Sequence, residues 1–371
     1  MIVCLSPGGR TLTGGADAAR RLHVATIGGV WTLERRTADA PWTVAARSLN
    51  EHHIGSLVHL PDAGLLLAGA HSGGLFVSRD DGGSWERSMS GIAPEHEHIF
   101  TLAAFERSGS TELWAGTQPA ALYRSIDLGR TWTELPGVRA VPGTDAWNFP
   151  APPFIAHVKH VAIHPREPAT VYVCVEQGAL LKSLDAGATW NEVTSYATPE
   201  DKWYHDAHRI VFTPSDPANM YLTSGEGLYH TTDAGRTWSH LTTRNDRVAY
   251  PDALFLDPGD ERCITMAGSG RSPDAWTAGD ATSAGAGILR SVDGGASWTE
   301  LHDGLAQPIR GNFEAMSMYH HQAHLALFTG TAVGEVYERP DRDAPWKRIA
   351  ADLPPVSKVG HYKRLLAAAV H

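Results

Sequence analysis

Cysteine is scarce in this 371-residue chain, and concentrated charge of either sign is missing. Cys4, Cys174 and Cys263 are odd in number and far apart in apolar, strand-like runs, which excludes a disulfide framework and leaves buried, reduced thiols as the expectation. Lysine and arginine total 31 against 41 aspartates and glutamates, a net charge of −10, and no basic run interrupts the sequence. That balance sets aside nucleic acid and anionic membrane surfaces as partners. No apolar stretch is long enough to span a bilayer, and Met1-Ile-Val-Cys-Leu-Ser-Pro has neither the basic start nor the apolar core of a secretory signal. A cytoplasmic protein is expected. Long amphipathic helical patterns are missing as well. Instead, 37 glycines and 23 prolines punctuate many short strands, so the expected class is all-β.

What the chain does have is a phrase that returns five times. Ser78-Arg79-Asp80-Asp81-Gly82-Gly83-Ser84-Trp85 recurs as Ser125 to Trp132, Ser183 to Trp190, Thr231 to Trp238 and Ser291 to Trp298. Each position suits a tight hairpin turn. The Asp carboxylate accepts backbone N–H groups, Gly supplies a positive φ, and Trp anchors the next strand in apolar surroundings. Degenerate copies around Trp42 and Trp346 keep only the tryptophan. The series Trp42, Trp85, Trp132, Trp190, Trp238, Trp298 and Trp346 has spacings of 43, 47, 58, 48, 60 and 48 residues, each long enough for a four-stranded blade. A seven-bladed β-propeller spanning residues 1–371 as one domain is predicted.

The phrase resembles the Asp-box, or BNR repeat, of sialidases and of seven-bladed relatives such as xyloglucanase-type glycosidases, the sortilin ectodomain and photosystem II assembly factors. The resemblance covers nearly the whole chain. It implies that the boxes sit on turns between third and fourth strands, on the face opposite the usual active site, so their aspartates hold turns and do no chemistry.

Inner strands are expected upstream of each box. Ile54-x-x-Leu57-Val58-x-x-Pro61, Val158-x-x-Val161-Ala162-x-x-Pro165 and Ala207-x-x-Ile210-Val211-x-x-Pro214 share one register, which Leu254-Phe255, Ile99, Phe313 and Tyr362 extend. Tyr362 to Ala368 is predicted to be the inner strand of the blade whose other strands come from residues 20–50, closing the ring and leaving no open edge.

That register aligns His53, His98, His157, Asp206, Tyr250, Asn312 and His361 at the strand starts, around one mouth of the central channel. His53, His98, His157 and His361 fall on four consecutive blades and form the expected ligand set for a divalent transition metal, Fe, Cu or Zn. Each histidine alone is more often a hydrogen-bonded structural residue at a strand start than a ligand. Two positions further along come Lys159, His208, Asp252, Glu314 and Lys363, ionisable where a core strand is ordinarily apolar. The candidate catalytic residues are Asp206 and Glu314 for proton transfer, His208 and Lys159 for binding or polarising substrate, and Asp252, which with Glu314 makes a carboxylate pair. His71, Gln118, Glu176, Glu226 and Arg271 are expected on the same face. Insertions at 138–156, 194–205 and 271–287 bring aromatic side chains to wall a pocket there.

The reading is a metal-dependent enzyme acting on a small organic substrate at this mouth. The alternatives are a non-sialidase BNR-type glycoside hydrolase and a non-catalytic propeller scaffold. A sialidase pattern needs an Arg-Ile-Pro segment, which the sequence lacks, and three converging arginines, whereas Arg209, Arg247 and Arg310 share no register position. Its Tyr-Glu pair has only Tyr250 and Glu314 as possible partners.

Overall fold

The structure is a computed structural model that describes residues 1–9, 12–107, 110–358 and 360–367. It contains seven sheets. Blades 2 to 6 are four-stranded antiparallel meanders whose first strands are Ile54–Leu60, His98–Arg107, His157–Ile163, Ala207–Phe212 and Tyr250–Asp257. Blade 7 begins with Phe313–His321, and first strands of successive blades lie against one another in cyclic order, blade 7 against blade 1. Apolar clusters fill the spaces between neighbouring sheets. One joins blades 2 and 3 through Val58, Leu67, Leu113 and Trp132, and another joins blades 3 and 4 through Trp114, Val158, Val173 and Trp190. Among the described residues no helix is long and apolar enough to cross a membrane.

The repeated phrase folds as a self-contained turn. In the first copy Ser78 Oγ donates to Asp80 Oδ1 at 2.8 Å and accepts the Gly82 N–H at 2.8 Å. Ser84 closes the turn, donating its N–H to Oδ1 at 2.8 Å and its hydroxyl to Oδ2 at 2.7 Å. Asp81 and Gly82 both take positive φ, 55° and 92°, and the same pair of positions is left-handed in the other four copies. Three of the five box tryptophans reach back to the preceding blade, Trp85 Nε1 donating to Ser48 Oγ, Trp132 Nε1 to Ser88 Oγ and Trp238 Nε1 to Ser195 Oγ.

The ring closes differently from the sequence expectation. The inner strand of blade 1 is Ile2–Leu5, which pairs in parallel with Arg21–Thr26 and is followed outward by Gly29–Glu34 and Thr43–Ser48. Leu12–Gly15 pairs in parallel with Phe313–His321 and gives blade 7 a fifth strand. The N-terminal segment therefore staples the first blade to the last, with Ser317 Oγ donating to the Cys4 carbonyl at 2.6 Å. The segment predicted as the closing strand is instead a short helix, His361–Leu366, and Ala368 lies outside the described residues. The reason is compositional. Lys363-Arg364-Leu365-Leu366-Ala367 consists of strong helix formers, whereas Ile2-Val3-Cys4-Leu5 is a buried strand of minimal length with no box to mark it.

Between its two strands the N-terminal segment crosses the channel. The Gly8 N–H donates to the Gly55 carbonyl at 2.9 Å, and the Gly8 carbonyl accepts the Leu102 N–H at 2.9 Å. A Cβ on Gly8 would lie 2.1 Å from the Phe100 carbonyl oxygen, so glycine is required there. This crossing puts backbone beneath the mouth that carries the candidate site.

Candidate functional site

Strand direction places the starts of the inner strands at the channel end opposite the box turns. There the structure divides the predicted residues into two groups. The first is an aromatic stack. His53 and His71 have ring centroids 4.0 Å apart, His71 stacks on Phe100 at 4.0 Å, and Phe100 meets His157 at 4.0 Å. Two rings thus separate His53 from His157. His98 is turned onto the backbone carbonyl of His71, His53 Nε2 is 2.7 Å from the Ser357 carbonyl, and His361 lies between Phe149 and Trp276. The predicted ligand set of His53, His98, His157 and His361 is therefore not brought together. Gly55 leaves room for the His71 ring, as a Cβ there would lie 2.3 Å from its Nε2, and the ring from the neighbouring turn fills the space that a shared ion would need. Burial lowers the basicity of His53, of His71 strongly, and of His157; it brings His361 down to about 4, with Lys358 adding to the effect.

The second group is a buried polar cluster built from blades 4 to 7 and the chain beyond them. All five candidate catalytic residues belong to it. Lys159 Nζ bridges Glu176 Oε1 at 2.9 Å and Asp252 Oδ1 at 2.8 Å. Lys358 Nζ reaches the same two oxygens, at 3.1 and 2.6 Å. Glu314 accepts the Lys358 N–H at 2.8 Å and the Ser357 hydroxyl at 2.9 Å. Asp206 accepts the Tyr250 hydroxyl at 2.7 Å. Tyr250 thus serves Asp206 rather than Glu314.

Glu176 was expected on this face but not as a centre, and Lys358 carried no signal at all, because it follows the last repeat and aligns with nothing. Glu176 ends the second strand of blade 4, two residues after the buried Cys174. A glutamate finishing the otherwise apolar Val171-Tyr-Val-Cys-Val175 run was its one legible mark.

Electrostatics sort the four carboxyls. Burial opposes ionisation of Glu176, but Lys159 and Lys358, with His157, outweigh it and hold this carboxyl well below the usual range. Asp252 is lowered by the same two ammonium groups against the same burial. Asp206 is also lowered, with His208 overcoming burial. Glu314 goes the other way, raised to about 7 by burial that Lys358 only partly offsets.

Six side-chain atoms in this cluster are fully enclosed yet make no hydrogen bond of acceptable geometry: both ring nitrogens of His157, Glu176 Oε2, Asp206 Oδ1, His208 Nε2 and Glu314 Oε1. Glu176, Asp206 and His208 face one another, and His157 Nε2 faces Glu176. His157 Nε2 is 2.7 Å from Glu176 Oε2, and His208 Nε2 is 3.3 Å from Asp206 Oδ1 and 3.9 Å from Glu176 Oε1. Glu176, Asp206 and His208 each present a ligand atom within 4.8 Å of the others. The other ring nitrogen of His208 is 2.7 Å from the Pro251 carbonyl, which can only accept, so in the neutral ring it is Nε2, facing inward, that carries the lone pair.

Above Asp206 lies a pocket of about 110 Å³ with walls from Phe149, Trp203, Tyr250, Ser272 and His361, so all three insertions contribute. A wider cleft of about 540 Å³ opens on the other side of Phe149, against His71, His98 and Phe100. Another cleft, of about 500 Å³, lies at the far end of the channel beside Met1 and His59, where its carboxylates Asp62, Asp81 and Glu106 are exposed. It has none of the buried donor atoms that mark the mouth. The three arginines do not converge either. Arg247 is paired with Glu300 at 2.6 Å, whereas Arg209 is buried against the Pro7 carbonyl.

The Sortilin-Vps10 family model, described as "Sortilin, neurotensin receptor 3", matches residues 178–325. A xyloglucanase from Paenibacillus sp is 28% identical over 226 residues, 53% of this chain and 20% of that protein. The chain spans 20 to 29% of the length of the curated xyloglucanases it matches. Among solved structures, the GH74 enzyme of Niastella koreensis superposes with a TM-score of 0.60 at 19% identity, covering 93% of this chain and 55% of that one. YCF48 from Cyanidioschyzon merolae superposes with a TM-score of 0.54 at 15% identity, covering 86% and 98%. With the seven sheets, these matches show a seven-bladed β-propeller and support a likeness to the sialidase- and sortilin-like superfamily.

Proposed function

We propose that the channel mouth is the active site of a metal-dependent enzyme that acts on a small organic substrate, with His157, Glu176, Asp206 and His208 as the ligands. The observation that carries this reading is the convergence of enclosed ligand atoms from Glu176, Asp206 and His208 within 4.8 Å of one another, with His157 Nε2 2.7 Å from Glu176 Oε2, since an enclosed polar atom that lacks a well-formed hydrogen bond is costly unless something completes it. Two imidazoles with two carboxylates suit Zn, Fe or Mn better than Mg or Ca. Ligand atoms about 2.1 Å from a tetrahedral ion are roughly 3.4 Å from one another, and the separations of 2.7, 3.3 and 3.9 Å straddle that spacing. Charge agrees as well. Glu176, Asp206 and Asp252 are held ionised near the two ammonium groups of Lys159 and Lys358, and three minus two leaves a negative charge, to which a partly ionised Glu314 adds, for a bound cation to neutralise. A bound ion would supply Lewis acidity beneath the aromatic pocket. Glu314, with its pKa near 7, is the group placed to exchange a proton at neutral pH.

The test is elemental analysis of protein purified without a histidine tag. Metal is expected in the wild type and in His53→Ala/His98→Ala, and none in His157→Ala/His208→Ala. Metal-free protein after exposure to Zn²⁺, Mn²⁺, Fe²⁺ and Cu²⁺ would sink the reading. A second reading is a binding protein, since the chain shares its fold, at a TM-score of 0.51, with YCF48 bound to D1 peptide. Its mark would be a metal-free protein. A glycoside hydrolase using Asp252 and Glu314 is the alternative that the xyloglucanase relatives support, and there both carboxyls would have to act while engaged by Lys358.

A further inference from the structure

The chain beyond the last blade enters the mouth it covers. After Lys347–Ala350 it returns across blades 7 and 1, where the Val356 N–H donates to the Thr331 carbonyl and the Ile27 N–H to the Pro355 carbonyl. Lys358 then points into the channel, and the helix His361–Leu366 lies over the opening. Two ammonium groups thus reach one pair of oxygens, and their origins differ. Lys159 belongs to an inner strand and is fixed by the blade. Lys358 comes from a segment that pairs with no strand.

Up to Lys358 the segment is firmly anchored, with Leu353 and Val356 buried in the core between blades 1 and 7 and the Lys358 N–H on Glu314; beyond Lys358 the contacts are fewer. Leu365 packs against Trp276, Ala284 and Ala332. Arg364 Nε donates to the Trp276 carbonyl at 2.5 Å, and the Gly279 N–H donates to the Arg364 carbonyl at 3.0 Å. All of these partners belong to blade 7 or to the insertion at 271–287, a loop rather than the propeller frame. The oxygens beneath are spaced to receive a compact, three-donor cation, at 2.6 Å from Asp252 and 3.1 Å from Glu176.

We propose that Asp252 and Glu176 form a binding site for a primary ammonium group, that Lys358 occupies it as an intrachain substitute, and that the external ligand is a small organic amine. The inference rests on the mouth being a small-molecule site, as above, and adds the chemical class of the molecule. The amine would displace Lys358 and take its two oxygens, and its organic portion would extend along Phe149, Trp203 and Tyr250. His361, carried by the same segment, leaves the wall of that pocket when the helix lifts, so occupation by ligand and widening of the pocket are one event.

The experiment uses the full chain with n-propylamine as probe, and 1-propanol and sodium chloride at equal concentration as controls, read by thermal shift and calorimetric binding at neutral pH. Wild type is expected to bind the amine weakly and to give no saturable response to either control. Lys358→Ala is expected to melt lower and to recover saturably with the amine alone. Leu365→Ala, which leaves every carboxylate and both lysines in place, is expected to bind the amine at least ~10-fold more tightly than wild type because the substitute is more often displaced. Folded Lys358→Ala protein that answers propanol and propylamine alike overturns the proposal. If Lys358→Ala does not fold, amine binding by Leu365→Ala no tighter than that of wild type overturns it. Metal content measured on the same samples separates the two readings. Amine rescue in metal-free protein removes the metal and keeps the ammonium site, and stoichiometric metal without rescue does the reverse.

Discussion

The two ends of this propeller both depend on aspartate, and they use it in opposite ways. At the box turns, Asp80 is exposed, and every partner it has lies within four residues. Its carboxyl is held at about 2, chiefly by the Ser84 N–H and then by the Ser84 and Ser78 hydroxyls, and the other four box aspartates also stand at about 2. At the mouth, Asp206 and Asp252 are buried, and their partners come from other blades, from Tyr250 at 44 residues' separation to Lys358 at 106. A locally satisfied carboxylate makes a repeatable structural part. A carboxylate that depends on distant chain is fixed only when the whole ring is formed, and there the structure leaves donor atoms unsatisfied.

The sharpest way to break the comparison is to remove what assembles the ring. Deleting residues 1–15 takes the inner strand from blade 1 and the fifth strand from blade 7, and it should abolish cooperative unfolding altogether. Removing residues 359–371 should leave seven sheets and a cooperative melt, since the described residues of that segment contribute no strand. A deletion of 1–15 that melts like wild type would show that the stapling is dispensable.

Next in size is Glu176→Ala. It strands Lys159 and Lys358 in the channel and should cost about 3–5 kcal/mol, as losing one partner of a buried ion pair does, measured by urea unfolding. Asp80→Ala should shift the transition far less, because its turn is exposed and four sister turns remain.

A smaller effect separates the two ends by pH. Glu314 has its folded pKa raised from 4.5 to about 7, so its contribution to stability is complete below 4.5 and is lost as pH rises through 7. Stability of wild type minus that of Glu314→Gln should therefore decline across that window. Asp80 runs in reverse. Its folded pKa is depressed from 3.8 to about 2, so its contribution is present above pH 4 and disappears as pH falls through 2. The difference between wild type and Asp80→Asn should vanish only in acid. Flat differences for either variant would remove that group from the account.

Legibility in the sequence followed the same division. The box is local, so five copies of one phrase disclosed the blade count and the register of the six inner strands from Ile54 to Phe313. Register in turn brought Asp206, His208, Lys159, Asp252 and Glu314 to one mouth, where the structure also has them. It could not show which of two adjacent rings faces inward. His53 and His98 share a position with His157, but only His157 meets a carboxylate, because His71 and Phe100 fill the space beside the others. Ring closure failed for a related reason. Ile2–Leu5 lies before the first repeat and pairs in parallel, so no periodic neighbour announces it. Lys358 lies after the last repeat and acts through its tip alone. Both ends of the chain do their work by contact with residues hundreds of positions away, which spacing along a sequence does not record.

The central claim is that His157, Glu176, Asp206 and His208 hold a metal, and Zn²⁺ titration by calorimetry tests it most directly. Wild-type protein stripped with chelator should bind one ion per chain, His53→Ala should bind it equally, and His157→Ala/His208→Ala should bind none. Equal binding by all three proteins, or by none of them, would contradict the claim.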